Sequence, residues 1–261
     1  LKTKKAEWFR SWFNTQAYLD LYRHRDEHDA KKIVSLLFNQ IELSKGSKVL
    51  DLACGNGRHS VLFAKKGLDV TGVDLSDFLI NQANKKLFGE YSRYQKNMRF
   101  EIRDMRSLKH VSEFDLVVNI FTSFGYFDSN RDNERVIKTI SNALKPGGYF
   151  LLDFLNRNYL EKNLVPFDLR TVDGKLIAQS RTIKDNYVEK NILIFTKYRS
   201  IKGYPLFNHF KEKIKLYSLK DFGIMFNSNS LRMHKVFGSY NGERYNINKS
   251  ERLIILARKK K

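Results

Sequence analysis

From Val49 onward short apolar runs alternate with amphipathic stretches, the pattern of repeated strand and helix units that build a mostly parallel sheet. The runs predict strands at Lys48–Leu52, Leu68–Val73, Met98–Ile102, Phe114–Ile120 and Tyr149–Phe154. Helical spacing lies between them at His59–Lys66, Asp77–Phe88 and Asn133–Leu144, after which Lys145-Pro146-Gly147-Gly148 predicts a stop and a tight turn. Ahead of the first strand, Trp8, Phe9, Trp12, Phe13, Tyr18, Leu21, Tyr22, Ile33, Leu36 and Leu37 recur at helical spacing and predict two or three helices forming an N-terminal cap. Beyond the fifth strand the period changes to two. Residues 165–217 alternate apolar and polar side chains, broken at Asp173-Gly174, Lys184-Asp185-Asn186 and Lys202-Gly203, as three or four antiparallel strands would be. Helices are expected near Arg157–Asn163 and Leu219–Asn227, and Met233–Phe237 and Leu253–Ala257 close the sheet. The expected organisation is a helical cap at 1–44, an α/β domain made of 45–164 and 218–261, and an antiparallel β insertion at 165–217.

Composition narrows the class. A single cysteine, Cys54, leaves no intrachain disulfide and no Cys-rich zinc site, which suits a reducing compartment. No run approaches the roughly 18 apolar residues needed to span a bilayer, and the first residues have no signal-peptide core. A soluble, cytoplasmic protein without a membrane partner is expected. Lys and Arg number 48 against 28 Asp and Glu, a net charge of +20. Residues 157–261 hold 23 basic and 9 acidic groups, +14 of that excess. Such a field concentrates anionic partners, although a solvated basic surface would produce the same count.

The informative segment is Val49–His59, VLDLACGNGRH: a buried strand, an acidic residue near its end, and a glycine turn that opens a helix. Gly55 and Gly57 permit positive φ and let a ligand approach the backbone, while the helix start offers unpaired N–H groups. Ser60 stands where a dinucleotide fingerprint wants its third glycine, and no P-loop pattern occurs, which disfavours a pyrophosphate ligand. Asp74, 19 positions after Gly55 at the end of the second strand, is placed to accept both ribose hydroxyls of an adenosine, whereas Ser76 suits the cap of the next helix. Arg103-Asp104-Met105 and Asn119–Phe127 follow the third and fourth strands, so all four segments fall at the carboxyl edge of the sheet, where open α/β sheets bind ligands.

With DLACGNGRH, GVDLS, RDM, NIFTSFGYF, LKPGGYFLLD and the N-terminal YLDLYRHRDEH on the page, the chain resembles the class I S-adenosylmethionine-dependent methyltransferases over nearly its whole length. Within them it is similar to the bacterial small-molecule group that has a helical cap and a β-rich insertion. The resemblance implies an α/β, Rossmann-like methyltransferase sheet, mostly parallel with its last strand antiparallel, and S-adenosylmethionine as cofactor. It implies that Asp51, Ala53, Gly55, Asn56 and Gly57 serve the methionine portion, Asp74 the ribose, Leu75 one adenine face, and Asp104 with Met105 the adenine edge. Asn119 and Phe121 would lie beside the amino acid and the sulfonium, and Tyr18, Tyr22 and Arg23 would reach the cofactor from the cap.

Methyl transfer from a sulfonium is an in-line displacement that relies on positioning and exclusion of water, and it needs a base only if the acceptor must lose a proton. Tyr126, Asp128, Tyr22, His24 and His28 are candidates near the mouth, and none is assigned as general base. His24 and His28 lie four apart but lack a third ligand, so no metal is expected. Cys54 and His59 read as packing and helix-start residues. Three readings stay open: a small-molecule methyl acceptor; an RNA acceptor, from the basic C-terminal part with Tyr187, Phe195, Tyr198, Tyr204, Phe207 and Phe210; and a catalytically silent S-adenosylmethionine-binding protein.

Overall fold

The computed structural model describes residues 7–23, 27–201 and 204–261. Three helices, α1 (Trp8–Trp12), α2 (Gln16–Leu21) and α3 (Glu27–Phe38), precede the sheet. The α/β units follow as β1 (Lys48–Leu52), α4 (Arg58–Lys65), β2 (Asp69–Asp74), α5 (Asp77–Phe88), β3 (Met98–Ile102), β4 (Phe114–Asn119), α6 (Asn130–Ala143) and β5 (Leu144–Leu155). Next come α7 (Arg157–Asn163) and the insertion strands β6 (Phe167–Val172), β7 (Lys175–Lys184), β8 (Tyr187–Ile201) and β9 (Tyr204–Lys215). The chain ends with α8 (Leu219–Asn227), β10 (Leu231–Phe237) and β11 (Arg252–Lys259).

Among the described residues the main sheet runs β10-β11-β5-β4-β1-β2-β3. The pairs within β3-β2-β1-β4-β5 are parallel, and β11 is antiparallel to both β5 and β10, as the sequence predicts. The chain leaves β1 toward β2 and β3, then crosses back to β4, so the order reverses between β1 and β4. That crevice is where an open α/β sheet binds its ligand. Both faces are buried, so the inner strands read as continuous apolar runs. Leu50, Leu52, Val117 and Leu152 face α6 and α8 through Val136, Ile140, Phe222 and Phe226. Their strand neighbours Val49, Leu116, Val118 and Leu151 face the opposite layer, with Ile33, Val34 and Leu37 of α3 and Val61 and Leu62 of α4.

Two local expectations change. The stop and turn at Lys145–Gly148 is built as an irregularity inside β5. Leu144 pairs with Phe114 and Tyr149 with Leu116, and the residues between bow out around Gly147 at φ +79°. Helix α6 starts three residues earlier than its apolar spacing indicates, because its first turn, Asn130-Arg131-Asp132, is polar and leaves no periodic trace.

The insertion is an antiparallel sheet in the order β6-β7-β8-β9, and it shares a small core with the cap. Trp12 and Leu21 pack there with Ile177, Ile192 and Ile194, and Phe210 lies 4.5 Å from Trp12 between ring centroids. A backbone hydrogen bond of 2.8 Å from Lys215 to Gly125 ties the end of β9 to the segment after β4. Insertion, α1 and α2 therefore roof the carboxyl edge of the main sheet, while α3 packs against α4 away from it.

Candidate active site

A cavity of about 820 Å³ opens between the carboxyl ends of the parallel strands and this roof. A narrow extension of about 60 Å³ continues it toward β2 and β3, sharing Phe13, Tyr18, Ala53, Gly55, Ser123 and Tyr126 as walls. Asp51, Asn56, Gly57, Tyr22, Arg23 and Phe121 line the large part, and Asp74, Leu75, Asp104 and Met105 line the extension.

The glycine turn follows from β1 ending against β2. Gly55 takes φ +57°, and a Cβ built there would meet nothing within 4 Å, so its face is open to the cavity. Gly57, at φ +81°, answers to packing: its Cβ would fall 2.6 Å from the Phe100 ring. The two glycines thus differ in what a side chain would meet, open space at Gly55 and the Phe100 ring at Gly57, while both line the cavity. Asp74 accepts from the Gly55 amide through Oδ2 and from the Ser76 amide through Oδ1, both at 2.9 Å, which fixes the carboxylate at the turn. Burial raises its pKa despite those donors. Ser76 caps α5 by accepting from the Leu79 amide at 3.1 Å, as its position predicts.

Asp51 is 1% exposed and accepts the Ser60 hydroxyl at 2.6 Å. Burial, with the neighbouring Asp74 charge adding to it, pushes its pKa up to about 6. A positive charge brought against this carboxyl would favour its ionised form. Cys54 is buried behind the turn, where burial pushes its thiol well up, in keeping with a packing role. His59 is buried against Phe121, and burial, with Arg58 beside it, lowers its pKa to about 3, so the imidazole is neutral at ordinary pH.

Asp104 is already engaged. Arg106 binds it through Nε and Nη2, at 2.6 Å for the shortest contact, and reaches on to Glu7 at 2.7 Å. Burial works against ionisation of Asp104, but the arginine outweighs it and the carboxyl sits below its ordinary range. Asn119 is fully buried. Its amide donates to the carbonyls of Leu52 at 3.0 Å and Ser123 at 3.2 Å, so it braces the loop after β4 without lining the cavity.

That loop is strained. Phe121 and Thr122 occupy consecutive left-handed conformations, φ +57° and +62°, which disfavour side chains larger than glycine. Asp153 of β5 holds them there: Oδ2 accepts from the Phe121 amide at 2.9 Å and the Tyr240 hydroxyl at 2.8 Å. Arg252 of β11 completes the clamp, donating from Nε to Asp153 Oδ1 and from Nη2 to the Thr122 hydroxyl, each at 2.9 Å.

Of the cap candidates, Tyr18 lines both parts of the cavity. Tyr22 donates to Glu212 of β9 at 2.7 Å and receives Lys190 of β8 at 2.9 Å. Arg23 is 63% exposed and forks onto Asp173 in the β6–β7 turn, with Asp20 nearby. Tyr126 is packed among Trp8, Phe9 and Phe13, where burial pushes its phenol far up. Asp128 pairs with Lys213 at 3.0 Å outside the cavity wall, His28 is exposed, and His24 lies outside the described residues. Among the described residues no group of three His, Cys, Asp or Glu could hold a metal.

Sequence reading missed Glu212, Lys190, Arg170 and Arg181, all on the cavity wall. Glu212 is gripped by Trp12 Nε1 and the Tyr22 hydroxyl, each at 2.7 Å. The available signal was period two: Phe210 and Ile214 flank Glu212 on its own face, and Val188 and Ile192 flank Lys190, so each is a charge on an otherwise apolar face.

Comparison with known proteins agrees with this architecture. YqeM of Bacillus subtilis, named a methyltransferase, is 26% identical over 226 residues, covering 85% of this chain and 88% of that protein. The dTDP-3-amino-3,4,6-trideoxy-alpha-D-glucopyranose N,N-dimethyltransferase of Streptomyces venezuelae is 25% identical over 203 residues, 76% of this chain and 81% of that one. The crystal structure of an S-adenosylmethionine-dependent methyltransferase from Clostridium acetobutylicum superposes with a TM-score of 0.74 at 22% identity, covering 94% of this chain and 97% of its own. Since the family model for the methyltransferase domain matches residues 43–222, well over half of the chain, this protein belongs to the methyltransferase domain family and carries its S-adenosylmethionine-dependent, class I fold.

Proposed function

We propose that this enzyme transfers a methyl group from S-adenosylmethionine to a small molecule enclosed between the main sheet and the insertion. The observation that carries the reading is the pair of carboxylates at the switch point of the sheet, the buried Asp51 and the half-buried Asp74, which is bonded to the amide of the open-faced Gly55. Those residues fit the cofactor chemically. A fixed carboxylate at Asp74 suits a ribose diol, and Asp51 suits the cofactor's ammonium, whose charge would stabilise the ionised carboxyl. Leu75, Asp104 and Met105 would take the adenine, Ala53, Asn56 and Gly57 would complete the methionine side, and Phe121 would border the sulfonium with Tyr18 and Tyr22 closing from the cap. Arg23 would serve from the rim, and Asn119 would act by bracing the Phe121 loop.

Bound S-adenosylmethionine supplies a methyl on a positively charged sulfur, a leaving group that needs no protonation. The chain's task is therefore to orient the acceptor and exclude water. The roof of Trp8, Phe13, Tyr18 and Tyr126 excludes water, and the clamped Phe121-Thr122 loop holds the floor. Glu212, fixed by Trp12 and Tyr22, is a carboxylate that could accept a proton from an acceptor amine or hydroxyl.

Relatives named for a sugar amine acceptor support a small molecule over RNA, as does an acceptor space closed by the insertion. No helix among the described residues is long and apolar enough to cross a membrane. Calorimetry with S-adenosylmethionine and S-adenosylhomocysteine tests the reading. Asp74→Ala is expected to weaken both by about 10-fold to 100-fold, the effect of losing charged hydrogen bonds. Unchanged affinity would remove the ribose assignment, and methyl label appearing in an RNA pool instead of a metabolite pool would overturn the small-molecule acceptor.

A further inference from the structure

Strand β6 is built inside out. Its exposed face carries Phe167 and Leu169, 59% and 57% exposed, while Asp168 and Arg170 turn toward the molecule. On β7, beside it, Gln179 and Arg181 continue the polar inner face. An antiparallel sheet with one face toward a core ordinarily shows the reverse pattern, apolar within and polar without. Polar groups kept inside at that cost mark a place where something polar is bound.

The charges on this inner face do not cancel. Asp168 is taken up by Gln179 Nε2 at 2.7 Å and by Arg181 Nη1, and Arg181 also donates to the Val165 carbonyl at 3.2 Å. One carboxylate thus faces two guanidinium groups and is hydrogen-bonded only to that of Arg181. Arg170 is left with a buried Nε that has no hydrogen-bond partner, and the Oε1 of Gln179 is likewise buried and unpartnered. Both arginines line the cavity, beside Leu160 of α7 and Leu164 just after it. A general excess of basic residues would decorate the outside of the sheet, and a nucleic-acid strand would need its cations there too. Lys184 and Lys211 do lie on that outer side, but Arg170 and Arg181 are on the inner face and line the cavity.

We infer that the methyl acceptor carries an anionic group, a phosphate or a carboxylate, seated on Arg170 with Arg181 beside it. A guanidinium offers two parallel donors to either anion, and a partly buried surplus charge gains most from such a partner. This assignment names the acceptor class for the site proposed above and rests on that reading. It also assigns work to the insertion: the strands recognise the acceptor's anion while the glycine turn of the main sheet serves the cofactor.

Titration calorimetry at low ionic strength tests it, with pyrophosphate in one arm and succinate in the other, each with and without saturating S-adenosylhomocysteine. At least one anion is expected to bind the wild-type protein, and the stronger arm identifies phosphate or carboxylate. Arg170→Gln should weaken that binding about 10-fold or more, Arg170→Lys less, and Lys184→Gln, on an exposed position of the same sheet, less than about 2-fold. Melting curves check that each variant is folded, and Arg170→Lys remains readable if Arg170→Gln is not. Binding of neither anion, or equal losses in Arg170→Gln and Lys184→Gln, overturns the assignment. Failure of S-adenosylhomocysteine to bind while an anion still binds through Arg170 would instead strike the cofactor reading and leave the anion site standing.

Discussion

Replacing Asp51 with Asn separates what this residue costs the fold from what it gives the site. The carboxyl is buried, and its folded-state pKa of about 6 stands above the ordinary 3.8. The folded apoprotein therefore holds the proton more tightly than the unfolded chain. Below pH 3.8 the group is neutral in both states and costs nothing. Between about pH 4 and 6 the unfolded chain ionises first and folding loses ground, and above pH 6 the loss is complete. A displacement of about two pH units at about 1.4 kcal/mol each gives a cost of about 3 kcal/mol at pH 7.5, a large share of a typical stability of about 5–15 kcal/mol. Asn keeps the shape and can still accept the Ser60 hydroxyl, but it carries no charge. Urea unfolding of both proteins without cofactor, at pH 4 and pH 7.5, should show the stability difference moving by about 2.5 kcal/mol in favour of Asp51→Asn as pH rises. Calorimetry at pH 7.5 should show S-adenosylmethionine bound about 10-fold to 100-fold more weakly by the variant, because a charge-assisted contact is gone. A stability difference that stays constant with pH would refute the argument, whatever happens to affinity.

Three further substitutions probe the walls. Gly55→Ala places a methyl in open space at φ +57°, so the fold should lose only about 1 kcal/mol while cofactor affinity collapses; normal affinity in calorimetry would show that no ligand approaches there. Asp153→Asn leaves Arg252 largely buried without its carboxylate and frees the Phe121 loop, for an expected loss of about 3–5 kcal/mol. Tyr240→Phe, which removes one hydrogen bond to the same carboxylate, should lose about 1 kcal/mol in the same unfolding assay, and equal losses would count against a clamp.

Much of this molecule is legible along the chain because its signals are local. Lys48–Leu52, Met98–Ile102, Asp77–Phe88 and Leu219–Asn227 fall where hydrophobic period and capping residues place them, and Gly55 and Asp74 sit at a spacing dictated by two adjacent parallel strands. The helix signals that fail are also local: a polar first turn hides the start of α6, and a bulge replaces a turn at Lys145–Gly148. What sequence could not decide is which face of a strand becomes a wall and which distant groups meet there. Trp12 and Glu212 are 200 positions apart, and Asp153 and Arg252 are 99, yet each pair is in hydrogen-bond contact. Alternation with period two is the same whether a polar residue faces water or a cavity, so Arg170 and Arg181 look like ordinary surface charges until the insertion docks. Docking alone made β6 inside out. The chain by itself determined its elements and the cofactor edge of the sheet, because those depend on neighbours a few residues or one strand away; the acceptor side was decided by tertiary structure, because it exists only where the cap, the insertion and the sheet are packed together.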